Sequence, residues 1–116
     1  MEINNAINIK LPLYIWQEGN LFFRYLPSLE ILGYGENEEI ANSSFEITLS
    51  EFLNYTFNKM TVFDELERLG WTVNRNKKRI CEPNVDDLIS DNLFFRNVSN
   101  KSNLRIENHI IQINLP

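Results

Sequence analysis

Gly33-Tyr34-Gly35 sets two glycines one residue apart, and Glu36-Asn37-Glu38-Glu39 follows at the mouth of a helical pattern. Such a text raises the chemistry of a phosphate cradle, in which glycine backbone approaches an anion at a helix N-terminus. The neighbouring residues argue against it. The third glycine of a dinucleotide fingerprint would fall at Glu38, and Glu36, Glu38 and Glu39 put negative charge where the anion would sit. The stretch reads instead as a strand-to-helix hinge. Asn37 is the N-cap, the carboxylates favour the positive end of the helix dipole, and Gly35 is the residue expected to need a positive φ.

Other reactive side chains are sparse. A metal-dependent nuclease needs several carboxylates gathered on neighbouring strands. The strand-like text offers only Glu30 and Glu18, and Glu18 falls in a turn. His109 is the single histidine and has no cysteine near it, so it reads as a structural or solvent-facing residue of a strand. Cys81 is the only cysteine. It excludes an internal disulfide, and although a basic run beside it is the setting that lowers a thiol's pKa, it reads as a half-buried inert thiol. No catalytic residue, cofactor or metal is expected.

Arg75, Lys77, Lys78 and Arg79 form a compact basic run, the one candidate for phosphate contacts. Read in isolation it is a solvated loop. Val98–Asn108 echoes the recognition-helix text of helix-turn-helix repressors. However, Leu104, Ile106 and Ile110 stand at i, i+2 and i+6, a spacing that suits a strand better than a helix packed on a partner.

The elements that would position these residues follow from periodicity. Ile7–Ile15 alternates strictly, with aliphatic residues at the odd positions, and Pro12 within it implies an edge or a bulge. Gln17–Asn20 is a turn, Leu21–Leu26 a second strand, and Leu29–Tyr34 a third. From Asn37 the period changes: Ala41, Phe45, Thr48, Leu49, Phe52 and Thr56 make one helical stripe of about five turns. Thr61-Val62-Phe63-Asp64 resembles a capping box for a short helix that Gly70 closes. Trp71-Thr72-Val73 reads as a fourth strand, Val85–Ser90 and Leu93–Val98 as short helical turns, and Leu104–Leu115 as a terminal strand. That strand would pair in trans, giving a symmetric homodimer, or in cis, extending the sheet.

The 116 residues suit one core with a modest appendage, divided as 1–73 and 74–116, and 43% hydrophobic content can build that core. No apolar run is long enough to span a membrane, and the N-terminal text lacks the basic and apolar regions of a signal peptide. Asn42, Asn54, Asn97 and Asn100 head N-x-[ST] triplets, which read as accidents of an Asn-rich chain. A reducing cytoplasm is expected. Charge is uneven: residues 1–70 carry 4 basic and 11 acidic side chains, whereas residues 71–116 carry 7 and 5. The acidic first part repels nucleic acid and attracts basic partners.

Residues 14–71 resemble the HicB-like antitoxin family. The likeness lies in Leu21-Phe22-Phe23-Arg24-Tyr25-Leu26-Pro27-Ser28-Leu29, then Gly33-Tyr34-Gly35, then Glu38-Glu39-Ile40-Ala41, and after the long helix in Thr61, Glu65-Leu66 and Leu69-Gly70-Trp71. The family's helix start is offset here by Ile40. The resemblance implies an α+β fold of order β-β-β-α-α-β. In it a three-stranded antiparallel meander and a further strand pack on one long helix, a partial ribonuclease-H-like core without nuclease activity, with a C-terminal extension ending in a strand. It also implies a non-enzymatic role, the binding and neutralising of a small basic RNA-cleaving toxin of the HicA kind, and it favours the homodimer over pairing in cis for the terminal strand. Glu38, Glu39, Glu46 and Glu51 are the partner-facing candidates from the charge pattern. The alternatives are a DNA-binding autorepressor acting through residues 75–116, and a HicB-like interaction domain with no toxin.

Overall fold

The computed structural model describes residues 6–116; residues 1–5, on which the reading against a signal peptide partly rests, lie outside the described residues. The fold is α+β. Strands β1 (Ala6–Glu18), β2 (Leu21–Leu26), β3 (Ile31–Gly35) and β6 (Arg105–Asn114) form an antiparallel sheet in the order β3-β2-β1-β6. Helices α1 (Glu38–Asn58), α2 (Val62–Arg68), α3 (Val85–Asp91) and α4 (Leu93–Ser99) pack around it, and β4 (Thr72–Asn74) and β5 (Arg79–Cys81) form a separate hairpin.

The expected meander of β1, β2 and β3 is present, but the fourth strand is not the one the sequence points to. Trp71–Val73 gives only the short β4, which pairs with β5 outside the main sheet. The fourth place belongs to β6, antiparallel to β1 from Ala6↔Asn114 to Ile15↔Arg105. The reason is apolar area in register. Ile111 and Ile113 lie opposite Ile9 and Ile7 and join the buried core, whereas three-residue β4 brings only Val73 to it. The terminal strand therefore pairs in cis. It also merges the two expected segments, because Ile111, Ile113 and Leu115 share one core with Leu11, Leu13 and Phe45. Pro12 is accommodated because β2 pairing begins only at Tyr14, so one side of β1 is a local edge at the proline.

The odd-numbered residues of β1 face α1. Ala41, Phe45, Leu49 and Thr56 are the buried positions of that helix, the core of the expected stripe. Asn37 caps it, its side chain accepting from the Ile40 N–H at 2.8 Å. Gly33 and Gly35 serve contact rather than backbone freedom. Neither adopts a positive φ, contrary to the expectation for Gly35. A Cβ on Gly33 would stand 2.4 Å from the Phe45 backbone nitrogen, and one on Gly35 would meet Ile40 and Ala41. The two glycines let the helix lie directly on β3.

Gly70 does adopt the left-handed conformation, with φ of 94°. Its N–H donates to the Glu67 carbonyl at 3.0 Å and the Trp71 N–H to the Leu66 carbonyl at 2.9 Å, the paired bonds of a Schellman ending for α2. The capping box expected at the start of α2 does not form. The Thr61 side chain caps nothing on α2 and its hydroxyl instead donates back to the Thr56 carbonyl, while Asp64 pairs with Arg75. Buried Trp71 then donates from Nε1 to the Ser28 carbonyl at 2.8 Å, tying the end of α2 to the β2–β3 turn.

The second face of the sheet holds its own core. Tyr14, Trp16 and Tyr25 pack against Phe95 and Val98 of α4. Asn84 caps α3 through the Asp86 N–H and Asn92 caps α4 through the Phe95 N–H. Arg96 donates to the Ile89 and Ser90 carbonyls, covering acceptors that the end of α3 leaves open.

Candidate protein-binding surface

One concave feature among the described residues is an open cleft of about 900 Å³ between the α2–β4 turn and the α3–α4 pair. The Schellman turn at Leu69-Gly70 forms one wall, and Glu82 to Leu88 with Asp91 to Phe94 forms the other. Glu30 enters from the β2–β3 turn, where it holds a φ of 54°, a conformation that costs a non-glycine residue about 1–2 kcal/mol. Four carboxylates, Glu30, Glu82, Asp87 and Asp91, line the cleft against one guanidinium, Arg68, and that one is already bonded to Glu65 at 2.9 Å. Leu93 and Phe94 stand exposed at 66% and 44% on the rim. Such a surface suits a basic side chain or segment that also brings an apolar contact.

Sequence reasoning missed this site because Glu30, Arg68 and the Leu69-Gly70 turn meet the segment from Glu82 to Phe94 only in the fold. The signal within reach was the acidic text Asp86-Asp87 and Asp91 beside Leu93-Phe94, an apolar pair that the periodicity assigns to a short helix.

The carboxylates named from the sequence are not gathered in one patch. Glu38 reaches Arg105 at 3.7 Å and Glu46 reaches the His109 Nε2 at 3.4 Å, an ion pair when the imidazole is protonated. Both therefore face the chain's own β6. Glu39 and Glu51 are exposed. Glu46 and Glu51 stand about 140° apart around a helix of 3.6 residues per turn, on opposite flanks of the buried stripe.

Of the basic run, Arg75 is held by Asp64 and Glu67 of α2 and lies over the Phe63 ring, and these two carboxylates push its pKa further up. Lys77, Lys78 and Arg79 remain exposed at the turn of the β4–β5 hairpin and the start of β5. The helix-turn-helix echo at Val98–Asn108 resolves into the end of α4, a loop and the start of β6. Glu18 pairs with Lys101, and it and Glu30 sit at opposite ends of β2, about 20 Å apart by strand rise. His109 packs edge-on against Phe45. Cys81 is exposed, not half-buried, because β5 belongs to the outlying hairpin. Among the described residues no three His, Cys, Asp or Glu side chains are grouped to hold a metal ion, and no helix is long and apolar enough to cross a membrane.

Beneath the cleft, Asn92 links its wall to the sheet: its side chain donates from Nδ2 to the Tyr25 hydroxyl at 3.3 Å. Burial pushes the Tyr25 phenol up to about 12, the Glu30 carboxylate adds to the rise, and the bond from Asn92 opposes it. Between the ordinary value of 10.0 and about 12 the folded chain keeps a proton that the unfolded chain has released. Stability from this group is thus full below pH 10 and is lost as pH rises through about 12. Urea midpoints measured across that window should fall with pH, and a Tyr25→Phe chain should show a shallower fall.

In comparisons with protein-family models, curated proteins and solved structures, nothing matches this chain.

Proposed function

We propose that this chain is a non-enzymatic, antitoxin-like protein that binds and neutralises a small basic RNA-cleaving toxin in the cytoplasm. The observation that carries the reading is the acidic cleft, four carboxylates with Leu93 and Phe94 on its rim. Its charge and shape suit a basic partner and oppose a nucleic acid, whose phosphates the carboxylates would repel. The β-β-β-α order through residues 6–58 supports the HicB-like resemblance, and a partial ribonuclease-H-like core belongs to the same proposal. The cleft, rather than the outer side of α1, is assigned the main role, since Glu38 and Glu46 are engaged with β6. Glu39 and Glu51 serve at most as peripheral attraction.

Co-expression with a small basic protein encoded beside this chain tests the reading. A complex should form, and the neighbour alone should arrest growth. Asp87→Lys with Asp91→Lys should weaken the complex by about 10- to 100-fold while far-UV circular dichroism stays unchanged, because both side chains are exposed. No complex, together with a neighbour harmless in cells lacking this chain, would sink it.

A further inference from the structure

The sheet has two edges, β3 and β6, and they are finished differently. On β3 the backbone N–H of Tyr34 donates to the Ser44 hydroxyl of α1 at 3.3 Å, so the helix occupies part of that edge. On β6 the ten residues Arg105–Asn114 pair with β1 on one side and, among the described residues, with no strand on the other. An open, regular edge of that length is a template for another strand. Two aliphatic side chains on it, Ile106 and Ile110, are 56% and 62% exposed, on the sheet face away from α1.

The sequence of this edge is self-complementary. Ile106-Glu107-Asn108-His109-Ile110 reads apolar, acid, amide, base, apolar, a chemical palindrome about Asn108. We propose that β6 pairs antiparallel with β6 of a second copy of this chain, about a two-fold axis at Asn108. Ile106 then lies opposite Ile110 of the second copy, Glu107 opposite His109, and Asn108 opposite Asn108.

The register follows from what its neighbours would do. Directly opposite residues in an antiparallel pair hold their Cβ atoms about 4.5–5.5 Å apart, so like charges there are unfavourable and apolar or opposite-charge pairs favourable. Moving the axis to residue 107 sets Glu107 against Glu107 and Arg105 against His109. Moving it to residue 109 sets Ile106 against Gln112 and Ile110 against Asn108. Only the Asn108 register among these sets isoleucine against isoleucine and carboxylate against imidazole. It joins four exposed isoleucine side chains into one apolar strip, and the two sheets become one continuous sheet of eight strands. The two-fold axis is perpendicular to that sheet, so both α1 helices fall on the same face. The acidic cleft, beside α3 and α4, is not used, and the assembly does not rest on the toxin-binding reading.

Cysteine cross-linking fixes the register. In a Cys81→Ser background, Asn108→Cys places two thiols across the axis, within the Cα separation a disulfide spans, and mild oxidation should give a covalent dimer. Gln112→Cys puts its thiols about 27 Å apart along the strands and should give none. Unmodified protein at about 100 μM should sediment at twice the 13.7 kDa chain mass. Ile106→Lys with Ile110→Lys should raise the dissociation constant by about 100-fold or more with the circular dichroism unchanged. A monomer at that concentration, a dimer that survives the two lysines, or cross-linking as efficient at residue 112 as at 108 would each overturn the proposal. A complex through β3 or through the cleft would show as the second of these results. The cysteine pair keeps the test decisive if the lysine chain misfolds.

Discussion

Gly33→Ala should cost about 3 kcal/mol of stability, at the upper end of what one added methyl does in a packed interior. The new Cβ would stand 2.4 Å from the Phe45 nitrogen, 2.5 Å from its Cα and 2.6 Å from its Cβ. Two of those three atoms are backbone, so no rotamer change relieves the clash. The helix must lift from β3, and Phe45, fully buried at the centre of the first core, goes with it. Urea unfolding followed by circular dichroism measures the loss. Gly19→Ala is the useful contrast: nothing lies within 4 Å of its added Cβ, and the penalty is the positive φ of 56° alone, about 1 kcal/mol. Equal losses at the two positions would show that Gly33 is required for its conformation and not for the close approach of α1.

Phe95→Ala should cost about 3–5 kcal/mol, the range for truncating a fully buried phenylalanine. The ring meets Tyr14 edge-on at 4.9 Å and Tyr25 at 6.0 Å, and it is the fully buried aromatic of the second core. Its neighbour Phe94 bears less on stability and more on binding. That ring is 44% exposed at the cleft rim, and Phe94→Ala should cost only about 1 kcal/mol, chiefly its edge contact with Tyr25 at 4.9 Å. Denaturant midpoints of the two single variants separate these roles. If Phe95→Ala left the midpoint within about 1 kcal/mol of the parent, α3 and α4 would be an appendage and not half of the molecule's packing.

That pair of phenylalanines also marks how far the sequence can be read. The spacing around Leu93–Val98 announces a short helix, but nothing in the text says which of Phe94 and Phe95 is buried, because both faces of so short a segment are apolar. The carboxylates of the cleft pose the same difficulty. Glu30 belongs to a turn between strands and Asp87 to a helix 57 positions later, and no local pattern brings them together. Glu46 was legible as a residue off the buried stripe of α1. That it faces His109 of β6 instead of a partner was not, since it depends on which strand lies beside β1.

What the sequence determined by itself is local. The alternation of Ile7–Ile15, the stripe from Ala41 to Thr56, the cap at Asn37 and the stop at Gly70 each follow from residues within a few positions of one another. Their physics is that of side-chain periodicity, capping and the left-handed turn. Tertiary structure decided the rest. It chose β6 over β4 as the fourth strand, because ten paired residues with Ile111 and Ile113 in register bury more apolar surface than three. It made the expected extension part of the core, gave the glycines of the strand-to-helix hinge Gly33-Tyr34-Gly35 a close contact with Phe45 and Ile40 in place of a positive φ at Gly35, and assembled the acidic cleft from four separate segments. Each of these outcomes is a competition between distant pairings for the same buried area, and a competition of that kind is resolved only when the whole chain is folded.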